Sequence, residues 1–282
     1  MSGGVAGRAG PGSFEVLGGD RGVVLRLRLN EWETRFFERR IGVLEVSPAA
    51  YAALPPESRT NAVSLAVEAA DADGHRLVQA HVDVAAVEVT ASLEDAGFRL
   101  VDTRVEFLTR LDRRTIPRHE APFGTVTIAG AEDLPALLSL AHEGLTTNPG
   151  FLSRYKNPDY FTPEETARWF AAWAEHGLRG PGSLTALWRV DGAPAAFFGY
   201  ARRAERRGLP MYQSTLTVAA EAARGHKAQI FLQTPLFAAM PTDEFWVGQV
   251  TQLTNTPVYR NNFVLGRRLH RVSLTFFRRG PS

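Results

Sequence analysis

Apolar and polar residues alternate in VVLRLRL, and a compact apolar run, IGVLEV, follows a dozen residues later. Alternation at period two marks a half-buried strand, and a short apolar run bounded by turn residues fits a more deeply buried one. The same reading predicts a helix over residues 61–72, a strand in RLVQAHVDV, a short helix over SLEDAG and a strand in RLVDTRVEFLTRL. Prolines and charges in LDRRTIPRHEAPFG then interrupt the apolar patterns and mark a domain boundary.

Beyond that stretch the signals strengthen. AEDLPALLSLAHEGL has helical spacing, and TPEETARWFAAWAEHG opens with Thr162 as N-cap, Pro163 in the first turn and Glu165 closing a capping box. Trp169, Phe170 and Trp173 share one face of that helix, and Trp169 and Trp173 are assigned to core packing. SLTALWRVDGAPAAFFGYARR reads as two strands around Asp191 and Gly192, a pair that accepts the positive φ values of a tight hairpin turn. There follow a strand in MYQSTLTVA, a loop in AEAARGHK, a helix in AQIFLQTPLFAAM and a strand in FWVGQVTQL. The chain closes on TNTPVYRNNFVLGRRLHRVSLTFFRR, a short helix, a lone glycine and a strand. LEDAGFRLVDTRVEFLTRL shows the same order earlier. Setting Gly97 beside Gly266 pairs Leu100 with Leu269, Val105 with Leu274, Phe107 with Phe276 and Arg110 with Arg279. The chain therefore reads as a pseudo-repeat of mixed α/β character.

Composition narrows the function classes. The 282 residues, 44% hydrophobic, suffice for a full core, and about 100–200 residues per domain suggests two units. The absence of cysteine excludes disulfides, thiolate metal sites and a cysteine nucleophile. The seven histidines show no metal-ligand spacing, so no metal is expected. No apolar run reaches the roughly 18 residues of a membrane span, and the Gly-rich start lacks a signal-peptide core, so a soluble cytoplasmic protein is the default expectation. A formal charge of +2 is too small to announce a nucleic-acid binder. Its distribution is uneven, with 17 basic against 13 acidic residues over 119–282 and 15 against 17 over 1–118. Lysine occurs only at Lys156 and Lys227.

The order of elements over residues 119–282, with ARGHKA after a strand, resembles the GCN5-related N-acetyltransferase (GNAT) superfamily. The closing stretch adds to the resemblance. The family commonly reads N-x-x-A-x-x-L-Y-x-x-x-G-F there, and this chain gives Asn255, Val258, Asn261, Asn262 and Gly266 at the corresponding places. WETRFFERRIG and LEDAGFRLVDT look like the partial second copy of the bacterial TDP-fucosamine acetyltransferase subgroup, where a segment like SRYKNPDYFTPEETARWFAAW also precedes the hairpin. The expectation is tandem GNAT-like folds with a splayed central mixed sheet: a flexible tail over 1–12, a partial copy over 13–118 and a complete copy over 119–282.

The resemblance implies an acyl-CoA donor, acetyl-CoA in the first instance. Relatives use Q/R-x-x-G-x-G/A before a helix. Here the residues are Ala222, Ala223, Arg224, Gly225, His226 and Lys227, followed by Ala228, so only the first glycine survives. A helix start presents unpaired N–H groups and partial positive charge, which suits phosphate but disfavours the cations Arg224, His226 and Lys227 by about 0.3–1 kcal/mol each unless an anion binds there. Thr217 and Val218 stand where relatives supply a backbone N–H to the thioester carbonyl. The usual acidic tyrosine position holds Asn262, which cannot give up a proton, while Tyr259 lies three residues earlier on nearly the same helix face. Tyr259 has two readings, proton donor or packing residue, and Asn255 has two, substrate orientation or helix entry. Asn148, Arg154, Tyr155 and Lys156 occupy the segment where the superfamily builds its acceptor site, and their types suit a nucleotide-linked amino sugar or an ordinary polar loop. The expected acceptor is a small amine. An acyl carrier protein as donor and a second copy of the chain are further candidate partners, and a non-catalytic scaffold is the alternative.

Overall fold

The computed structural model describes residues 5–10, 13–18 and 22–281. The chain divides into two compact units, one made of the residues up to Arg104 with those from Val272 onward, the other of Val105–Arg271. It passes from the first to the second inside one strand, Arg99–Asp112, and returns inside another, Leu269–Arg279. LDRRTIPRHEAPFG thus lies wholly in the second unit, and the last residues of the chain belong to the first.

The first unit runs β1 (Ala6–Gly10), β2 (Ser13–Leu17), β3 (Val23–Leu29), α1 (Glu31–Phe37), β4 (Ile41–Val46), α2 (Pro48–Ala52), α3 (Pro56–Ala72), β5 (Leu77–Asp83), α4 (Val87–Asp95) and the opening of β6 (Arg99–Asp112). Its sheet order is β1-β2-β3-β4-β5, followed by the final strand; β4 pairs parallel with β5, and β1 with β2, β2 with β3, β3 with β4 and β5 with the final strand pair antiparallel. Leu25 and Leu27 of β3 and Val78, Ala80 and Val82 of β5 meet Ala62, Val63, Ala66 and Ala70, which recur at helical spacing along α3. Of the expected tail, residues 1–4, 11 and 12 lie outside the described ones, and Ala6–Gly10 forms a strand on Ser13–Leu17. Arg8 and Arg26 flank Glu15 there and hold its carboxyl below the usual range.

The second unit takes the rest of β6, then β7 (Thr125–Ile128), α5 (Leu134–Ala141), a π-helical turn (His142–Thr147), α6 (Pro163–Arg179), β8 (Ser183–Val190), β9 (Ala193–Arg206), β10 (Leu209–Ala219), α7 (Ala228–Phe231), α8 (Gln233–Ala239), β11 (Glu244–Gln252) and α9 (Thr256–Val264), ahead of β12 (Leu269–Arg279). The strand order is β6-β11-β10-β9-β8-β7. Trp188, Phe198, Tyr200 and Phe245 pack on Phe231 of α7, Leu236 and Phe237 of α8, and Leu232 between the two helices. α5 and α6 pack on β8, β9 and β10.

Local chemistry explains most boundaries. The α6 capping box forms, Thr162 Oγ1 accepting from the Glu165 amide at 3.1 Å and Glu165 accepting from the Thr162 amide at 2.8 Å. Asp191 and Gly192 take φ values of 51° and 79°, as a two-residue hairpin requires. The single helix expected in AQIFLQTPLFAAM is two, α7 and α8, because Pro235 has no N–H to give the carbonyl of Phe231. The pseudo-repeat is also a structural repeat. After α4 the amides of Gly97 and Phe98 return to Glu94 and Leu93, and after α9 those of Gly266 and Arg267 return to Phe263 and Asn262, with Gly97 at φ 85° and Gly266 at φ 66°.

Candidate functional site

β10 is irregular on both sides. Against β9, Ser214 faces Tyr200 and Thr217 faces Phe198, so one extra residue bulges out of β10. Gly199 stands opposite the bulge, and a Cβ there would come within 2.4 Å of Thr215 Oγ1 and 2.9 Å of Thr185 Oγ1. Against β11 the parallel register holds for three pairs only, Met211 with Trp246, Tyr212 with Val247 and Gln213 with Gly248. Residues 214–219 and 249–252 then leave each other. A wedge opens between the strands toward their C-terminal ends, and the edge of β10 turned toward it has hydrogen-bonding groups to offer an extended ligand.

Thr217 and Val218 lie on this diverging part of β10. The strand leads into the loop expected to bind phosphate. Arg224, Gly225, His226 and Lys227 are exposed, while Ala228 begins α7 and is buried. Among the described residues the amides of Gly225, His226, Lys227, Ala228 and Gln229 have no acceptor, and Arg224 and Lys227 have no carboxylate partner. Lys227 has φ 55°, the left-handed conformation that a glycine would adopt without strain. His226 instead turns its ring onto Phe123, 5.1 Å away edge to face.

The acceptor segment folds on itself. The Lys156 ammonium donates to the Asn148 carbonyl at 2.7 Å, and burial lowers its pKa. Asn148 Oδ1 accepts from the Gly150 amide at 2.9 Å. Arg154 lies 4.5 Å above the Tyr155 ring and donates to its hydroxyl at 2.9 Å. Tyr155 is buried against Trp169 and Phe161. The π-helical turn brings this segment close to β10: a Cβ on Gly144 would lie 2.4 Å from Val218, and Glu143 accepts from the Glu221 amide at 2.8 Å. Single π turns are frequent at functional sites.

On α9 the three named residues part company. Asn262 is fully buried, donating to the Val258 carbonyl at 2.8 Å and accepting from Arg267 at 3.0 Å. Tyr259 turns its ring edge to face onto Phe107 of β6 and Phe263, with centroids 5.6 and 5.0 Å away, so it packs over the strand on the far side of β11 from the wedge. Asn255 occupies the N-cap position of α9 without a side-chain cap bond. The helix thus places Asn262 near the wedge and Tyr259 away from it.

A group of residues outside the sequence reading fills the vertex of the wedge. Gln249 is the first β11 residue past the last parallel pair, and Tyr200 faces Ser214, the first such residue of β10. Between them lies Arg267, 4% exposed, whose guanidinium donates to Gln249, Gln233, Asn262 and, at 2.6 Å, the Tyr200 hydroxyl. Tyr200 donates onward to Gln233 at 2.7 Å, and Gln229 donates to Gln249 at 2.9 Å. Burial pushes the Tyr200 phenol up, with Arg267 opposing. Among the described residues no carboxylate meets Arg267, so neutral oxygens alone offset the desolvation of a buried cation. The signal was present in the sequence: Gln229 and Gln233, four apart, interrupt the mostly apolar stretch that forms α7 and α8, and Gln249 follows the apolar run that opens β11.

Among the described residues, no helix is long and apolar enough to cross a membrane, and no cluster of three potential metal ligands occurs. No family model matches the chain, and no curated protein matches it. Its fold does match solved structures. A GCN5-related N-acetyltransferase from Sphaerobacter thermophilus is 13% identical with a TM-score of 0.58, over 98% of this chain and 83% of that one. Another from Kribbella flavida is 14% identical with a TM-score of 0.52, over 99% and 91%. A tandem GNAT protein from the clavulanic acid biosynthesis pathway is 16% identical with a TM-score of 0.52, over 97% and 86%. At such identities the likeness is one of fold.

Proposed function

We propose that this chain, which has the fold of the GCN5-related N-acetyltransferases, is an N-acyltransferase that takes an acyl-CoA, acetyl-CoA in the simplest case, into the wedge of its second unit and passes the acyl group to an amine. The observation that carries this reading is the three-pair limit on β10 and β11 beside the β10 bulge. That geometry leaves a strand edge to which an extended pantetheine arm can hydrogen-bond as an added strand does. The left-handed Lys227 supports the same reading, because it keeps the conformation of a phosphate-binding loop after the second glycine has gone.

In this scheme Arg224, Lys227 and the unpartnered amides of residues 225–229 hold the donor phosphates. An amide near Thr217 or Val218 accepts the thioester carbonyl as it gains charge. The amine nitrogen bonds to the carbonyl carbon, the C–S bond breaks, and the amine's proton ends on the departing thiolate. A thiol of pKa near 8.5 needs modest help in leaving, so water in the wedge is a sufficient proton carrier. The acceptor enters beside the π turn and the Asn148 to Lys156 segment. Because Lys156 and Arg154 already hold Asn148 and Tyr155, a general amine is favoured over a sugar nucleotide whose diphosphate would need both cations.

The test is thiol release from acetyl-CoA and from acetyl-pantetheine with a panel of amino sugars, amino acids and polyamines. Amine-dependent release from acetyl-CoA supports the reading. Release from acetyl-pantetheine alone would shift the donor to a carrier protein, and no release accompanied by no donor binding would leave a scaffold.

A further inference from the structure

Connecting β6 to β7, residues 113–124 carry three arginines and a histidine for which the proposed reaction has no task. They border a cavity of about 760 Å³ whose other walls come from β7, α7, α8 and Asp243, just before β11. That volume lies within the roughly 300–1,000 Å³ of small-molecule sites.

We propose that this cavity is a second binding site, for a small amphipathic monoanion: a flat apolar body bearing one carboxylate or sulfonate. Ile116, Val126, Phe231 and Pro235 supply the apolar walls. The charges sort themselves by partner. Arg113 is committed to Asp243 and to the carbonyls of Ala238 and Met240, and Arg114 makes a two-point pair with Asp112 at 2.8 and 3.0 Å. Among the described residues the side chains of Arg118 and His119 have no partner. Glu120 on the same rim offsets part of the Arg118 charge, which favours a single negative charge over a polyphosphate.

The walls are held in place before any ligand arrives. The His119 amide donates to Thr234 Oγ1 at 3.0 Å, and the same hydroxyl donates to the His119 carbonyl at 3.0 Å. Trp188 fixes the far end of the connector by donating to the Phe123 carbonyl at 2.9 Å. A pre-formed cavity spares a ligand the entropy of ordering it. The site is also separate from the wedge. At about 100° per residue, Phe231, Thr234, Pro235 and Ala238 lie on the side of α7 and α8 opposite Gln229, which meets Gln249, and Gln233, which meets Tyr200 and Arg267, while Phe237 stands between the two faces with its ring stacked 5.9 Å from that of Tyr200.

The probe is 8-anilinonaphthalene-1-sulfonate, titrated by fluorescence into the full chain, with the uncharged N-phenyl-1-naphthylamine as comparison. The expected result is saturable one-to-one binding of the sulfonate, tighter than that of the uncharged analogue. Arg118→Glu should weaken it about tenfold or more, Ala238→Trp should abolish it by filling the cavity, and Arg203→Glu on the exposed face of β9 should leave it unchanged. Thermal midpoints of all three variants check that each is folded. Ala238 is exposed, so the larger side chain is tolerated on its surface side. Non-saturable fluorescence, or an unchanged affinity in either Arg118→Glu or Ala238→Trp, would overturn the proposal.

Discussion

Lys227 concentrates two opposed effects at one residue. Its φ of 55° costs a side chain about 1–2 kcal/mol relative to glycine, while its ammonium stands at the start of α7 with no carboxylate near it. Lys227→Gly should therefore raise the stability of the free protein by about 1 kcal/mol and weaken acetyl-CoA binding by about 1.5–3 kcal/mol, leaving pantetheine affinity unchanged. Thermal melts and titration calorimetry read the two effects separately. Arg267 poses a different question, since its two terminal nitrogens donate to four neutral oxygens but its charge is not matched. Arg267→Met leaves Gln249, Gln233, Asn262 and Tyr200 short of a donor and should destabilise by about 2 kcal/mol, and Arg267→Lys should do no better, because one ammonium cannot span four acceptors. A gain in stability for Arg267→Met in denaturant melts would show that the desolvation cost dominates. At this scale the sequence was legible where a residue's backbone decided its place, as at Thr162, Asp191 and Gly192. It was not legible for Tyr259, because helical spacing puts it near Asn262 in angle but cannot reveal that Phe107 of a distant strand would claim its ring.

Elements depend on such residues through close approach. Gly199 lets the β10 bulge form against Thr185 and Thr215, and the end of α6 meets the same place, Thr185 donating to the Gly177 carbonyl at 2.9 Å. Gly199→Val would force the bulge away from β9. The expected outcome is a loss of about 2 kcal/mol or more in stability and a fall in donor affinity, measured by denaturant melts and calorimetry. In the first unit, His75 precedes β5, 2% exposed, with Nδ1 3.3 Å from the Ala70 carbonyl. Burial holds its pKa below the ordinary 6.5, with Asp73 opposing. The unfolded chain thus binds a proton that the native one refuses, so stability is full above pH 6.5 and falls as pH drops below it. His75→Gln should flatten that part of a stability-against-pH curve, and an unchanged slope would assign the acid sensitivity elsewhere. Strands such as β3 and β4 were legible because period-two patterns and apolar runs are local. β1 was not, because it is Gly-rich and its pairing with β2 is fixed by cross-strand contacts such as Arg8 with Glu15.

The whole molecule is two units built on one order of strand, helix, strand, helix, glycine and strand, with the last residues of the chain completing the first unit. The repeat was legible because the helix ends are written in local sequence, Gly97 and Gly266. The division was not, since a pattern of prolines marks a break in periodicity and not which sheet a strand joins. The proposed reaction requires an acyl-CoA to lie in the second unit between β10 and β11. Hydrogen–deuterium exchange of the full chain with and without saturating acetyl-CoA tests it most directly. Slowed exchange is expected over residues 214–229 and 249–255, with β4 and β5 of the first unit unchanged. Protection confined to the first unit, or none anywhere at millimolar acetyl-CoA, would contradict it.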